Sequence, residues 1–154
     1  MRRKDKELQS EAARRLLHEG EYGILSTTDL QGQPYGVPLN FVYWEGRLYF
    51  HCALEGRKLD NLRANPRASF CVVGHTRVLP AEFNTEYESV IVFGEASVVQ
   101  GDERHHALIK LVEKYSPDFV EEGQKYIELH DRRTTVCRID IHTMTGKAKL
   151  SQKM

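Results

Sequence analysis

A chain of 154 residues is long enough to bury a real core and fits one domain spanning 1–154. Lys and Arg number 22 and Asp and Glu number 22, for a formal net charge of zero, which excludes general nucleic-acid binding, since that needs excess positive charge. No stretch approaches the roughly 20 apolar residues of a membrane span, and the basic N-terminus lacks the apolar core of a secretory signal.

The three cysteines, Cys52, Cys71 and Cys137, include no C-x-x-C pair. Their odd number points to reduced thiols in a cytoplasmic protein, each read as a small buried core residue.

Leu8, Ala12, Ala13, Leu16 and Leu17 recur at helical spacing and predict an amphipathic helix over about 6–18, stopped by Gly20. The period then changes. "YGILSTT" (Tyr22 to Thr28) is strand-like, "DLQGQ" is turn chemistry, and "PYGVPLNFVYW" (Pro34 to Trp44) is a second strand. The Glu45-Gly46 turn leads to a third, "RLYFHC", in meander order. Pro34 and Pro38 cannot donate ladder hydrogen bonds, so the second strand must be an edge or irregular near Pro38.

"GRKLDNLRANP" reads as a short helix with Leu59 and Leu62 on one face, ended by Asn65-Pro66. Two strands follow, "RASFCVVG" and "YESVIVFGEASVV", separated by a loop, "HTRVLPAEFNT", with Gly94 as a bulge or close backbone approach. Asp102 is the expected N-cap of a helix whose stripe is Ala107, Leu108, Leu111, Val112 and Tyr115. "PDFVEEGQKYIELH" reads as another short helix. In "TTVCRIDIHTMTG", Val136, Arg138 and Asp140 alternate with Cys137, Ile139 and Ile141 as a sixth strand. Six short antiparallel strands with few helices predict a mainly β (α+β) fold, a small barrel over about 22–146 with peripheral helices.

The usual chemical motifs are missing. Gly146-Lys147 has Ile141 where a phosphate-binding loop needs its first glycine, and no G-x-G-x-x-G or G-x-S-x-G occurs. Of the seven histidines, only His105 and His106 are close in sequence, and neighbours on a helix diverge by roughly 100°, so no metal site is read. Arg57 and Lys58 remain. Both fall in the first turn of a helix, where free N–H groups and the helix dipole already favour an anion, so two cations there oppose the dipole unless a counter-charge is present. The residues alone leave both a solvated turn and a phosphate seat open.

The stretch "GILSTTDLQGQPYGVPLNFVYWEGRLYFHCALEGRKLDNLRANPRASFCVV", continued by "SVIVFGEASVV" and "RIDIHTMTGKA", resembles the FMN-binding split barrels of the pyridoxamine 5'-phosphate oxidase-like superfamily. It looks most like the branch of nitroimidazole-resistance proteins, from Glu11 to Lys149. The resemblance implies a six-stranded antiparallel split β-barrel with FMN as cofactor. It carries the phosphate contacts onto Arg57 and Lys58, and the flavin ring onto Val37, Pro38, Leu39 and Asn40 of the second strand and Phe50 and His51 of the third. It implies a homodimer with FMN at the interface, where Ser89 stands at the partner-chain contact in place of the oxidases' glutamine. His51, otherwise a strand histidine with local hydrogen bonds, would lie near the flavin and serve catalysis by donating to reduced flavin or a substrate oxyanion.

The ending "TGKAKLSQKM" lacks the aromatic and arginine residues that the oxidases bring to their vitamin substrate. The implied function is an FMN-dependent oxidoreductase reducing a small-molecule acceptor such as a nitro-aromatic. Its alternatives are a flavin carrier or sensor, or a split barrel using a deazaflavin or haem.

Overall fold

The computed structural model describes residues 4–130 and 133–150. Helix α1 (Ser10–Glu19) precedes strands β1 (Gly23–Thr28), β2 (Pro34–Leu39), β3 (Val42–Trp44) and β4 (Arg47–Cys52). Helix α2 (Arg57–Ala64) leads into β5 (Arg67–Leu79) and β6 (Asn84–Val98), then helices α3 (Gly101–Tyr115) and α4 (Val120–His130), and last β7 (Thr135–Lys149).

All the ladders are antiparallel, and the seven strands run in the order β2-β1-β5-β6-β7-β4-β3. The expected count of six is therefore corrected to seven, with an isolated bridge between Glu7 and Lys147 besides. The expected second strand is in fact two, β2 and β3, broken at Asn40-Phe41. They lie at opposite edges of the sheet, so the barrel closes through two residues of covalent chain rather than through a ladder. This is a split β-barrel. The break comes where Pro34 and Pro38 had already marked an edge strand.

The barrel interior is filled by Leu25, Leu48, Phe50, Phe70 and Val92 from the strands and by Phe41 from the break between β2 and β3, with Leu16 and Leu17 of α1 closing one end. A second core under the helical pair α3–α4 contains Val42, Tyr49, Leu108, Leu111, Ile127 and Val136. Strand β4 serves both, since Leu48 and Phe50 point inward while Tyr49 points out beneath α3. In β7 the alternation holds the same way, with Cys137 and Ile139 inward and Val136 outward.

Several expectations are corrected. The stretch read as a loop, "HTRVLPAEFNT", is a hairpin: β5 continues to Leu79 and β6 begins at Asn84 after one short turn at Pro80–Glu82. Its arms hid from the pattern because Val78 and Phe83 stay exposed and a bulge between Val73 and Thr76 breaks the alternation. Helix α3 begins at Gly101 with Gln100 as N-cap, so Asp102 lies inside the first turn. Gly20 ends α1 in an extended conformation rather than a left-handed one. Glycine is needed there for room, because a Cβ would meet Val72 at 2.4 Å. Of the cysteines, only Cys137 is buried; Cys52 and Cys71 are half-buried.

Gly94 behaves as the sequence suggests. The β6–β7 register shifts between Phe93 and Gly94, and a Cβ on Gly94 would stand 2.1 Å from the Asp140 carbonyl oxygen. No described helix is long and apolar enough to cross a membrane.

Candidate functional site

Helix α2 starts on Gly56, whose φ of 143° lies in a region that side chains rarely adopt. Its N-cap makes no side-chain hydrogen bond, leaving first-turn N–H groups open to an outside acceptor. The helix is fixed by Leu59 and Leu62 in the barrel core and by Asn61, whose buried amide donates to the Thr27 hydroxyl at 2.9 Å.

The two cations of this turn are held differently. Arg57 reaches Asp29 of the β1–β2 turn at 3.7 Å and lies 5.3 Å over the ring of Tyr35 on β2. The other Asp29 oxygen accepts from the backbone N–H of Gln31 and of Gln33. This carboxylate is the counter-charge that the sequence reading left open, and it ties α2 to the hairpin beside it. Lys58 has no ion-pair partner among the described residues. One cation is tethered and the other available.

On β2, alternate residues face opposite sides. Val37 and Leu39 pack half-buried against the barrel core while Pro38 is exposed on the outer face. Four consecutive side chains of β2 therefore cannot all face one ligand, and Val37 and Leu39 could meet it only through the backbone. Phe50 is likewise fully buried inside the barrel, so its side chain belongs to the core.

Next along β4, His51 points outward and shares a cavity with Asn40 beneath α3 and α4. His51 is itself exposed, yet desolvation by the groups packed near its ring lowers its pKa from the ordinary 6.5. The imidazole is neutral at pH 7, a hydrogen-bond donor rather than a cation.

The break between β2 and β3 is latched from α3. The Tyr115 hydroxyl accepts from the Phe41 N–H at 3.0 Å and donates to the Glu21 carbonyl at 2.6 Å. Lys114 donates to the Phe41 carbonyl at 2.9 Å, with its ammonium 4.0 Å from the centre of the Phe41 ring. Backbone groups freed by the split are thereby satisfied. Sequence reading counted Tyr115 only as part of an apolar stripe, and its latch role needs the tertiary fold to be seen.

Cys52 was also missed. Its thiol is lowered to about 7, first by a hydrogen bond from Cys137 and then by the charges of Lys58 and Arg63, while burial opposes them. The Cys137 thiol is raised correspondingly. Cys52 and Cys137 sit on adjacent strands, with Cys137 two residues beyond Thr135, the register partner of Cys52, a proximity that sequence separation conceals. Among the described residues, no three His, Cys, Asp or Glu side chains come together to hold a metal.

Ser89 lies elsewhere. It faces outward on β6, paired with Val73 and Lys147, and the chain does not bring it to α2 or His51. Of the remaining predicted positions, Arg57 meets β2 at Tyr35 and Asn40 shares a cavity with His51.

The sequence profile of the pyridoxamine 5'-phosphate oxidase family matches residues 9–148. The chain belongs to that family. Solved structures carry the same fold at low identity. A Bacteroides thetaiotaomicron protein named as a candidate 5-nitroimidazole antibiotic resistance protein is 23% identical, with a TM-score of 0.75 over 92% of this chain and 86% of its own. A FAD-binding protein of Mesorhizobium loti is 24% identical, with a TM-score of 0.68 over 94% and 98%. A FAD- and haem-binding protein of Mycobacterium smegmatis is 19% identical, with a TM-score of 0.79 over 95% and 74%. No curated protein matches the sequence. At these identities the likeness shows the fold that this family member shares with them.

Proposed function

We propose that the chain is an FMN-binding flavoprotein, active as a homodimer, that reduces a small-molecule acceptor such as a nitro-aromatic. The observation carrying this reading is the start of α2, an uncapped helix N-terminus bearing Lys58 without an ion-pair partner among the described residues and Arg57 held in place by Asp29. Open N–H groups, a positive dipole end and two cations suit a phosphate dianion better than any neutral group. The residues present therefore fit the phosphate end of FMN.

Bound FMN supplies two-electron redox chemistry. This chain's part is to hold and orient it: Arg57 and Lys58 at the phosphate, the β2 backbone from Val37 to Asn40 and the Phe50 backbone along the ring. His51 stays neutral and donates a hydrogen bond toward the reacting face. Ser89 reaches the site of the second subunit. Flavin and haem binders both occur among the structural neighbours, and the cationic seat favours the ligand with a phosphate.

The purified protein should show flavin absorbance bands, or acquire them on adding FMN; a Soret band in their place would identify haem instead. Charge-assisted contacts contribute roughly 1.5–3 kcal/mol, so riboflavin should bind at least tenfold more weakly than FMN. Lys58→Met should weaken FMN far more than riboflavin. Equal affinities of the unmodified protein for the two ligands would sink the phosphate assignment.

A further inference from the structure

We infer that Cys52 and Cys137 form a reversible dithiol–disulfide site, oxidised by a hydroperoxide, where β4, β7 and α2 meet. The β4–β7 ladder pairs Cys52 with Thr135 and Phe50 with Cys137, so the two cysteines are diagonal neighbours on adjacent strands. Both side chains face the barrel interior, where Cys137 belongs to the core and Cys52 packs against it. Their thiols share a hydrogen bond.

Diagonal neighbours typically stand roughly 7–8 Å apart, while a disulfide spans roughly 4.4–6.8 Å between Cα atoms, so closing the bond takes a small shift. The fold leaves room for it on both sides. Cys52 is the last residue of β4, and Ala53, Leu54, Glu55 and Gly56 join it to α2 outside any helix or strand. Cys137 borders a cavity of about 150 Å³ whose lining includes Leu59, Leu62, Ala96 and Val98. Most interiors are close-packed, and this gap lets the Cys137 side chain turn without compressing the core.

The surroundings suit the chemistry. The hydrogen bond from Cys137, with the charges of Lys58 and Arg63, holds the Cys52 thiol at about 7 against burial, so much of it is the nucleophilic thiolate at pH 7. Cys52 is half-buried rather than sealed, and a hydroperoxide is small. The thiolate attacks one peroxide oxygen: an S–O bond forms, the O–O bond breaks, and the departing hydroxide or alkoxide takes a proton from water. Cys52 is then a sulfenic acid. The Cys137 thiol is raised first by its hydrogen bond to Cys52, then by burial and the Cys52 charge. A sulfenic acid carries no such charge, so Cys137 now gives up its proton more readily. Its sulfur attacks the Cys52 sulfur, the S–S bond forms, the S–O bond breaks, and hydroxide leaves with the Cys137 proton as water. Two electrons have passed from the thiols to one peroxide, and a thiol reductant returns them by exchange.

Cys71 is the internal comparison. It faces outward on β5, paired with Ile24 and Ile91, and burial raises its thiol. Trypsin puts the three cysteines on separate peptides, residues 48–57, 68–77 and 134–138. After hydrogen peroxide at pH 7, peptide 48–57 should be recovered joined to 134–138, with the intact chain lighter by the mass of two hydrogen atoms. Dithiothreitol should restore the separate peptides. Cys71 should remain open to alkylation, its oxidation slower by at least about tenfold. Cys137→Ala should stop the reaction at a Cys52 sulfenic acid that dimedone traps, and Cys52→Ala should leave Cys137 unoxidised. Mapping the unmodified protein needs neither variant, so a folding defect in one of them leaves the test intact.

A link to peptide 68–77, a link between two chains, or Cys52 carried on to sulfinic acid beside a free Cys137 would overturn the inference. So would oxidation of Cys71 ahead of Cys52. The site makes no use of the flavin reading, and the joined peptides are expected whether or not the protein takes up FMN.

Discussion

His51 illustrates how one side chain couples stability to chemistry. Burial lowers its pKa below 6.5, so just below that pH the unfolded chain binds a proton that the folded chain refuses. Where the unfolded state holds more protons, stability rises with pH. The contribution is fully present above about 6.5 and is lost as pH falls through the lowered folded value. His51→Gln, which does not titrate, should flatten the dependence of Tm on pH in that window; an unchanged slope would mean another group carries it. In the flavin-loaded protein, His51→Ala should hold FMN within about tenfold, or roughly 1.4 kcal/mol. Reduction of an acceptor should slow by about 10²-fold, the usual scale for a lost proton donor. Loss of FMN would make the residue a cofactor contact only, and unchanged rates would leave it a strand histidine.

Cys52 offers a second residue-level readout, this time of the phosphate seat. Its thiol is lowered to about 7, in part by Lys58, so alkylation by iodoacetamide should follow a pH midpoint near 7, where Cys71, raised by burial, reacts more slowly. An anion on Lys58 neutralises that charge and raises the Cys52 thiol. Saturating inorganic phosphate or FMN should therefore slow Cys52 alkylation at pH 7 while leaving Cys71 unaffected. If riboflavin slows it as much as FMN does, shielding by the ring rather than charge is responsible.

Among the elements, the break between β2 and β3 decides the architecture. Tyr115 and Lys114 hold Phe41 from α3, so the helical pair also serves to seal the barrel. Tyr115→Phe keeps the ring and removes the bonds to Phe41 and Glu21, and should cost about 1–3 kcal/mol by urea unfolding. A change below 0.5 kcal/mol would show that water replaces the hydroxyl at about no cost. This break also marks where sequence legibility ended. Pro34 and Pro38 announced an edge, but a run from Val37 to Trp44 interrupted only by Asn40 gave no sign that its halves lie at opposite edges of the sheet. Periodicity located β1 and the faces of α2 and α3, each of which buries one side, while β4 showed as an apolar run and β7 by alternation, though both bury residues on both faces. It failed on the β5–β6 hairpin, whose outer arms bury little. For the site, Arg57 and Lys58 were legible as a local charge anomaly, and the family resemblance supplied His51 and the β2 residues. Asp29, Tyr115 and Cys137 act across long sequence distances.

At the scale of the whole molecule, the outer face of the sheet is unfinished. Register places Pro38, Ile24, Cys71 and Ile91 in one row across four strands, all on the outer side. Val73 lies one step away, and Phe93 one step in the other direction. Ile24, Val73, Ile91 and Phe93 are 38%, 49%, 39% and 51% exposed. Single exposed apolar residues are ordinary, but a contiguous apolar band on a monomer marks an interaction surface. Ser89 borders this band beside Val73, and the band begins at Pro38, on the strand proposed to carry the flavin ring. A second copy packed here by a two-fold axis would cover both bands at once and bring its Ser89 toward the neighbouring β2. The protein should therefore sediment as a dimer. Ile91→Glu places an unpaired carboxylate in the middle of the covered row, a burial that costs several kcal/mol, and should weaken dimerisation at least 100-fold. Since each site would lack its partner's wall, the variant should lose FMN affinity in parallel with the dimer and regain it at high protein concentration. A monomeric Ile91→Glu protein that still binds one FMN per chain at full affinity would separate the cofactor site from the interface and overturn the shared-site arrangement.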